Sequence, residues 1–254
     1  MSLLETRSVS IAFGGVRALH DVSIVVEEGE LVGLVGPNGA GKTTLIRALN
    51  GAQPPDSGSI RLDGIDISRL PTHARVKSGL AMTHQIVRPF RDLTLMENVA
   101  VAAADEYAGA PFAALSNTKR DHQTARAGEL LGAFGIAEAA DQASATVPLG
   151  YLKRLEMARA LATNPRIILL DEPLAGLNQA EATIIADEIV RFCDRGITVV
   201  LVEHNLNEIV RISRRLIVLD NGSVIAEGDP EDVISRREVR AAYFGDEQTV
   251  TASA

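Results

Sequence analysis

Apolar positions along this chain change period several times, and the changes mark its elements. Residues 6–28 alternate apolar and polar in short runs (Val9, Ile11, Phe13; Val22, Ile24, Val26), a period of two that predicts antiparallel strands of an edge sheet. Leu31-Val32-Gly33-Leu34-Val35 is apolar throughout and predicts a buried strand, with a helix from Thr44 to Asn50 beyond it. Gln53-Pro54-Pro55-Asp56-Ser57-Gly58 is a turn cluster, and 59–62 followed by Asp63-Gly64 predicts a hairpin. A short helix is expected over 71–78 and a strand over 80–83.

Between about 86 and 163 the character shifts. Alanine dominates, β-branched runs vanish, and helical spacing takes over (Leu130, Leu131, Phe134; Leu155, Ala158, Leu161, Ala162), so this stretch is expected to be a mostly helical insertion. Strand–helix alternation then resumes: strand 167–171, helix 180–195, strand 198–202, helix 205–213. Residues 216–219 and 224–227 flank Asp220-Asn221-Gly222, a hairpin turn, and Asp229-Pro230 opens a C-terminal helix. Alternating strands and helices imply a parallel sheet covered on both faces. The expected organisation is one domain, with 1–85 and 164–245 as core, 86–163 as helical subdomain and 246–254 as a mobile tail.

Composition narrows the classes open to such a chain. Its 254 residues, 46% of them hydrophobic, suffice for one large domain or one domain with an inserted subdomain. No stretch reaches the roughly 18–20 uninterrupted apolar residues of a membrane span. The nearest, 99–115, carries Asp105, Glu106 and Pro111, and Glu5 and Arg7 fall where a signal peptide would be apolar. The expectation is a soluble protein of the cytoplasm. Cys193 is the single cysteine, which leaves no disulfide framework or cysteine zinc site; its helical neighbours Ile189 and Phe192 place it in a packed core. A net charge of −8 with scattered basic residues argues against a nucleic-acid partner, and Arg214-Arg215 and Arg236-Arg237 read as solvated element ends.

Candidate chemistry begins at Gly36-Pro37-Asn38-Gly39-Ala40-Gly41-Lys42-Thr43, the G-x-x-x-x-G-K-[ST] form of a phosphate-binding loop, between strand 31–35 and the helix opening at Thr44. Such a turn aims backbone N–H groups and a helix N-terminus at one point. Lys42 would meet the β/γ-phosphates and the Thr43 hydroxyl a Mg²⁺ ion. A nucleoside triphosphate is therefore the expected ligand. Ile167-Ile168-Leu169-Leu170-Asp171-Glu172 is an apolar strand ending in two carboxylates, at the strand end where doubly wound sheets bind ligands. Asp171 would hold the magnesium through water, and Glu172 would orient or deprotonate an attacking water.

Asp171-Glu172-Pro173, then Ala175-Gly176-Leu177-Asn178, then His204, resemble in kind and order the ATPase module of ATP-binding-cassette (ABC) transporters. The resemblance covers nearly the whole chain. It implies an α/β P-loop NTPase with a mixed or parallel central sheet, an N-terminal antiparallel β subdomain and an inserted helical subdomain, using ATP and Mg²⁺. It also implies that Gln85 contacts magnesium and senses a transmembrane partner, that His204 touches the γ-phosphate, and that Phe13 stacks on adenine. The family signature, typically Leu-Ser-Gly-Gly-Gln, falls on Val147-Pro148-Leu149-Gly150-Tyr151. Gly150 and the helix N-terminus survive, whereas Pro148 removes a hydroxyl and an amide donor. Because the signature serves the phosphate loop of a second subunit, this departure would weaken the partner's site and suits an unequal pair.

Three strings narrow the resemblance to the larger ATPase subunit of branched-chain amino-acid importers: 11–19, then 79–85 continuing through 87–99, and 239–245. His84 stands where that group usually has Phe. The resemblance implies two transmembrane permease subunits, a second ATPase subunit (paralogue or self), an indirect link to an extracytoplasmic solute-binding protein, and a peripheral place on the cytoplasmic face of the membrane. Lipopolysaccharide-export ATPases are similar as well. A soluble ABC-type ATPase acting on nucleic acid or ribosomes is the competing class; it usually carries zinc cysteines, a coiled-coil insertion or tandem cassettes. A small-molecule kinase would leave Glu172 and His204 without roles.

Overall fold

The alternating N-terminal run folds as two long strands, β1 (Ser2–Phe13) and β2 (Val16–Glu27), joined at Gly14-Gly15. The computed structural model describes residues 1–83, 88–104 and 117–244. β1 begins ahead of the expected residue 6 because Leu3 and Leu4 already point into the core. It also pairs with β4 (Ser57–Leu62), which pairs with β5 (Ile65–Asp66), giving an antiparallel sheet in the order β2-β1-β4-β5.

The fully apolar runs form a second sheet. Its strands are β3 (Leu31–Val35), β6 (Leu80–Met82), β7 (Ile167–Asp171), β8 (Thr198–Val202), β9 (Arg215–Asp220) and β10 (Ser223–Gly228), in the order β10-β9-β3-β8-β7-β6. All neighbours are parallel except β10, which returns antiparallel on β9. Strand parity divides the core in two. Val32, Leu34, Ile167, Leu169, Val200, Val202, Ile217 and Leu219 face α1 (Lys42–Asn50) and the antiparallel sheet. Their alternates, among them Ile168, Leu170, Val199, Leu201, Leu216 and Val218, face the other helices. A strand buried on both faces has no polar alternation to show, which is why these segments read as continuous apolar runs.

Helices α2 (Thr72–Lys77), α3 (Leu95–Ala104), α4 (Asn117–Ala133), α5 (Leu149–Leu161), α6 (Gln179–Asp194) and α7 (Leu206–Ile212) complete this framework. Phe134, just beyond α4, packs its ring tilted by 40° against Phe192 of α6 at 4.8 Å between centroids, tying the alanine-rich region to the core. α7 and β9 close so tightly around β3 that a Cβ on Gly33 would stand 2.8 Å from Ile209 Cγ1 of α7 and 2.4 Å from Leu216 Cδ2 of β9. Cys193 is buried, its Sγ 3.2 Å from the Gly29 carbonyl.

A helix opens at Pro230 with Asp229 as its cap, α8 (Pro230–Ser235), and a second, α9 (Arg237–Phe244), follows it because Arg236 takes an extended backbone at φ −64°, ψ 141°. One expectation is corrected. Arg215 is not a solvated strand end: its side chain is 19% exposed, ion-paired with Glu30 and Glu227, and donates to the Val25 carbonyl at 2.7 Å. The expected tail 246–254 lies outside the described residues.

Candidate functional site

β3 leads straight into the glycine loop. Gly36, Gly39 and Gly41 have φ of 150°, 83° and 104°, and a Cβ on Gly36 would stand 2.1 Å from the Leu219 carbonyl oxygen. Only glycine fits that first turn. Ala40 is buried, and Thr43 and Thr44 lie in the first turn of α1. Lys42 is buried, its Nζ donating to the carbonyls of Gly36 (2.6 Å) and Pro37 (3.0 Å). Burial lowers its pKa, while the charges of Glu172 and Asp171 work to raise it, so the ammonium and both carboxylates share one electrostatic neighbourhood.

Asp171 ends β7 and is 7% exposed. Glu172 follows at φ 51°, a left-handed conformation that costs a non-glycine residue about 1–3 kcal/mol. The position is held by its own N–H, which donates to the Val202 carbonyl at 2.9 Å. Its Oε1 lies 2.8 Å from Nε2 of His204, two residues past the end of β8. Four of the residues singled out from the sequence therefore converge: Lys42, Asp171, Glu172 and His204.

The others are placed differently. Phe13 stands at the β1–β2 tip, 49% exposed. Gly150 is buried in the first turn of α5, where an added Cβ would meet Glu181 Oε1 at 3.2 Å. Pro148 is the N-cap of that helix and makes no side-chain cap bond. Gln85 lies outside the described residues.

Two buried charged side chains beside the site escaped sequence reading. Glu203, 3% exposed, accepts from Leu174 N at 2.6 Å through Oε1 and from His204 N at 3.2 Å through Oε2. It thereby joins the loop after Glu172 to the His204 loop. Burial raises its pKa, opposed by those two N–H donors. Lys153 of α5, 5% exposed, donates to the Glu172 carbonyl at 3.1 Å. Burial lowers its pKa, and Glu203, Glu172, Glu156 and Asp171 oppose that shift. The one sequence signal was an acid directly beyond an all-apolar strand, which has to find donors if it is buried.

Among the described residues no three His, Cys, Asp or Glu side chains group into an all-protein metal cage. What the site offers is a hydroxyl and a carboxylate, Thr43 and Asp171, beside a phosphate loop. That oxygen set suits Mg²⁺, which commonly takes one or two protein ligands and completes its shell with phosphates and water.

Residues 19–175 match the model of the ABC transporter family, and residues 223–249 match that of the branched-chain amino acid ATP-binding cassette transporter. The chain belongs to the ABC transporter ATP-binding family. It is the ATPase subunit of a transporter. Over 250 residues it is 36% identical to the high-affinity branched-chain amino acid transport ATP-binding protein BraF of Pseudomonas aeruginosa, covering 96% of this chain and 98% of the relative. Over 247 residues it is 35% identical to the lipopolysaccharide export system ATP-binding protein LptB of Escherichia coli K12, covering 97% and 99%. A nucleotide-free ATP-binding cassette from an ABC transporter superposes with a TM-score of 0.85 at 29% identity, covering 97% of this chain and all of the other. A dimeric cassette in a post-hydrolysis state, bound to ADP and phosphate, superposes with a TM-score of 0.78 at 28% identity, covering 90% and 99%.

No helix among the described residues of this cassette is long and apolar enough to cross a membrane, and subunits of this family work with membrane permease components and dimerise. A cavity of about 330 Å³ lies among Arg88, Pro89, Arg91, Ser144, Ala145 and Leu152. In the neighbouring segment buried Asn98 accepts from Phe90 N (2.8 Å) and donates to the carbonyls of Phe90, Leu93 and Thr94. Phe90 is 50% exposed there, beneath the Arg159 guanidinium.

Proposed function

We propose that this cassette hydrolyses ATP to drive an importer of branched-chain or related amino acids, with Glu172 as its general base. The contact between Glu172 and His204, 2.8 Å apart and beside Lys42, carries the reading. ATP would lie on loop 36–44, its phosphates met by the loop amides and Lys42, its adenine against Phe13. Thr43 and Asp171, with Gln85, would hold Mg²⁺, which when bound would supply charge neutralisation for the phosphates. Glu172 takes a proton from the attacking water as its oxygen bonds to the γ-phosphorus. The bond to the β–γ bridging oxygen breaks, leaving ADP and phosphate. His204 would keep Glu172 oriented and contact the γ-phosphate.

In a head-to-tail dimer, Gly150 and the N-terminus of α5 would face the partner's nucleotide. Two permease subunits would dock at the cavity beside Phe90, and an extracytoplasmic binding protein would deliver the solute. The match at 223–249 supports import of amino acids. The likeness to LptB supports a second reading, lipopolysaccharide export.

Glu172→Gln is expected to lower turnover roughly 10²–10⁴-fold with ATP still bound. Unchanged turnover of the purified variant would refute the assignment. Reconstitution with branched-chain amino acid permease subunits, followed by labelled leucine uptake, separates import from export.

A further inference from the structure

The C-terminal quarter of the chain holds the phosphate loop at both ends. At the exit, the Gly222 N–H in the β9–β10 turn donates to the Ala40 carbonyl at 3.0 Å. Beneath the entry, the Leu219 carbonyl sits so close to Gly36 that no side chain fits between them. At the entry itself, the Gly36 N–H donates to the Tyr243 hydroxyl at 2.6 Å, from a residue 207 positions later in the chain. Tyr243 reaches this point because the extended break at Arg236 starts a second helix, α9, and its ring packs on the main apolar cluster.

Gly36 is thereby held through both of its polar groups. Its N–H is bound to Tyr243, and its carbonyl receives Lys42 Nζ at 2.6 Å. Tyr243 fixes the Val35–Gly36 peptide, from which the loop departs, directly ahead of the Gly36–Pro37 carbonyl on which the lysine rests. Nothing in the hydrolysis chemistry calls for a phenol at this distance in sequence.

We propose that Tyr243 is a positioning residue for nucleotide binding, its hydroxyl fixing the Gly36 peptide so that docking of α9 sets the affinity of the loop for ATP. This rests on the reading of loop 36–43 as the phosphate site. Displacing α9, by a partner or by truncation, would loosen the loop without touching Glu172 or His204.

Tyr243→Phe in the full chain removes one oxygen and keeps the ring. The dissociation constant for a fluorescent ATP analogue, KM and kcat for ATP, and the thermal midpoint are measured beside wild type and Lys42→Ala. The expected result is a three- to tenfold rise in dissociation constant and KM, roughly the worth of one hydrogen bond, with kcat within about twofold. A merely structural tyrosine would lower the midpoint and leave KM alone. If Lys42→Ala loses the nucleotide but Tyr243→Phe keeps wild-type KM, the positioning role is overturned and the loop reading stands. Wild-type binding in Lys42→Ala would sink both. Amide exchange on wild type gives an independent reading: Gly36 N–H is expected to be protected, and free exchange there overturns the proposal even if the variant does not fold.

Discussion

At the scale of the residue, single buried side chains set the geometry of this site. Glu203 spends each carboxylate oxygen on a different loop, so its removal takes the acceptor from the buried N–H of Leu174 and the part-buried N–H of His204. Glu203→Ala is expected to cost about 1–3 kcal/mol of stability and to lower kcat while ATP affinity holds, as steady-state kinetics and denaturant unfolding would show. An unaltered kcat would mean that the His204 loop keeps its place unaided. Arg75 is fully buried and donates to the carbonyls of Ala48, Leu49, Ser68 and Leu70 at 2.6–3.0 Å. Burial lowers its pKa to about 10, still far above neutrality, so its charge remains at the C-terminus of α1, where the helix dipole favours it. Arg75→Met should cost about 3–5 kcal/mol, read as a drop in unfolding free energy.

At the scale of the element, capping separates the helices. α6 begins with a full capping box: Asn178 Oδ1 accepts from Glu181 N at 3.0 Å and Glu181 Oε2 from Asn178 N at 3.1 Å. Asn178→Ala is expected to cost about 1 kcal/mol, measurable in urea as a shifted midpoint with an unchanged slope. α5 has no such cap, since Pro148 has no side-chain acceptor at that position. Its backbone, φ −60° and ψ 161°, is one that serine adopts readily. Pro148→Ser should therefore supply a hydroxyl cap and an N–H at the partner-facing end of the helix. ATP-dependent dimerisation of the Glu172→Gln background, followed by light scattering, should strengthen; weaker association would argue that the proline is fitted to its own partner.

At the scale of the whole molecule, Arg215 joins the two sheets: from β9 it reaches Glu30 and the Val25 carbonyl of β2. Burial resists ionisation of Glu30, but the hydrogen bond from Arg215 and the one from Glu27 N outweigh it and leave its pKa below 4.5. A lowered carboxylate pKa stabilises the fold above the unfolded value, and the contribution disappears as pH falls through the folded one. Arg215→Met is expected to cost about 2–3 kcal/mol near neutrality, and its gap from wild type should close as pH drops below 4.5 in thermal melts. The sequence by itself determined the apolar strands, the glycine loop, the acid pair and the order of elements, because each is encoded by consecutive residues. A strand buried on both faces must be apolar along its length, and a phosphate loop must place its glycines where φ is positive. Only the tertiary structure decided the roles of Arg75, Lys153, Glu203, Arg215 and Tyr243. Each has a partner far along the chain, 27, 19, 29, 185 and 207 residues away, so composition and period carry no trace of those contacts. A buried polar group is defined by the donors and acceptors that folding brings to it, and those come from other parts of the chain.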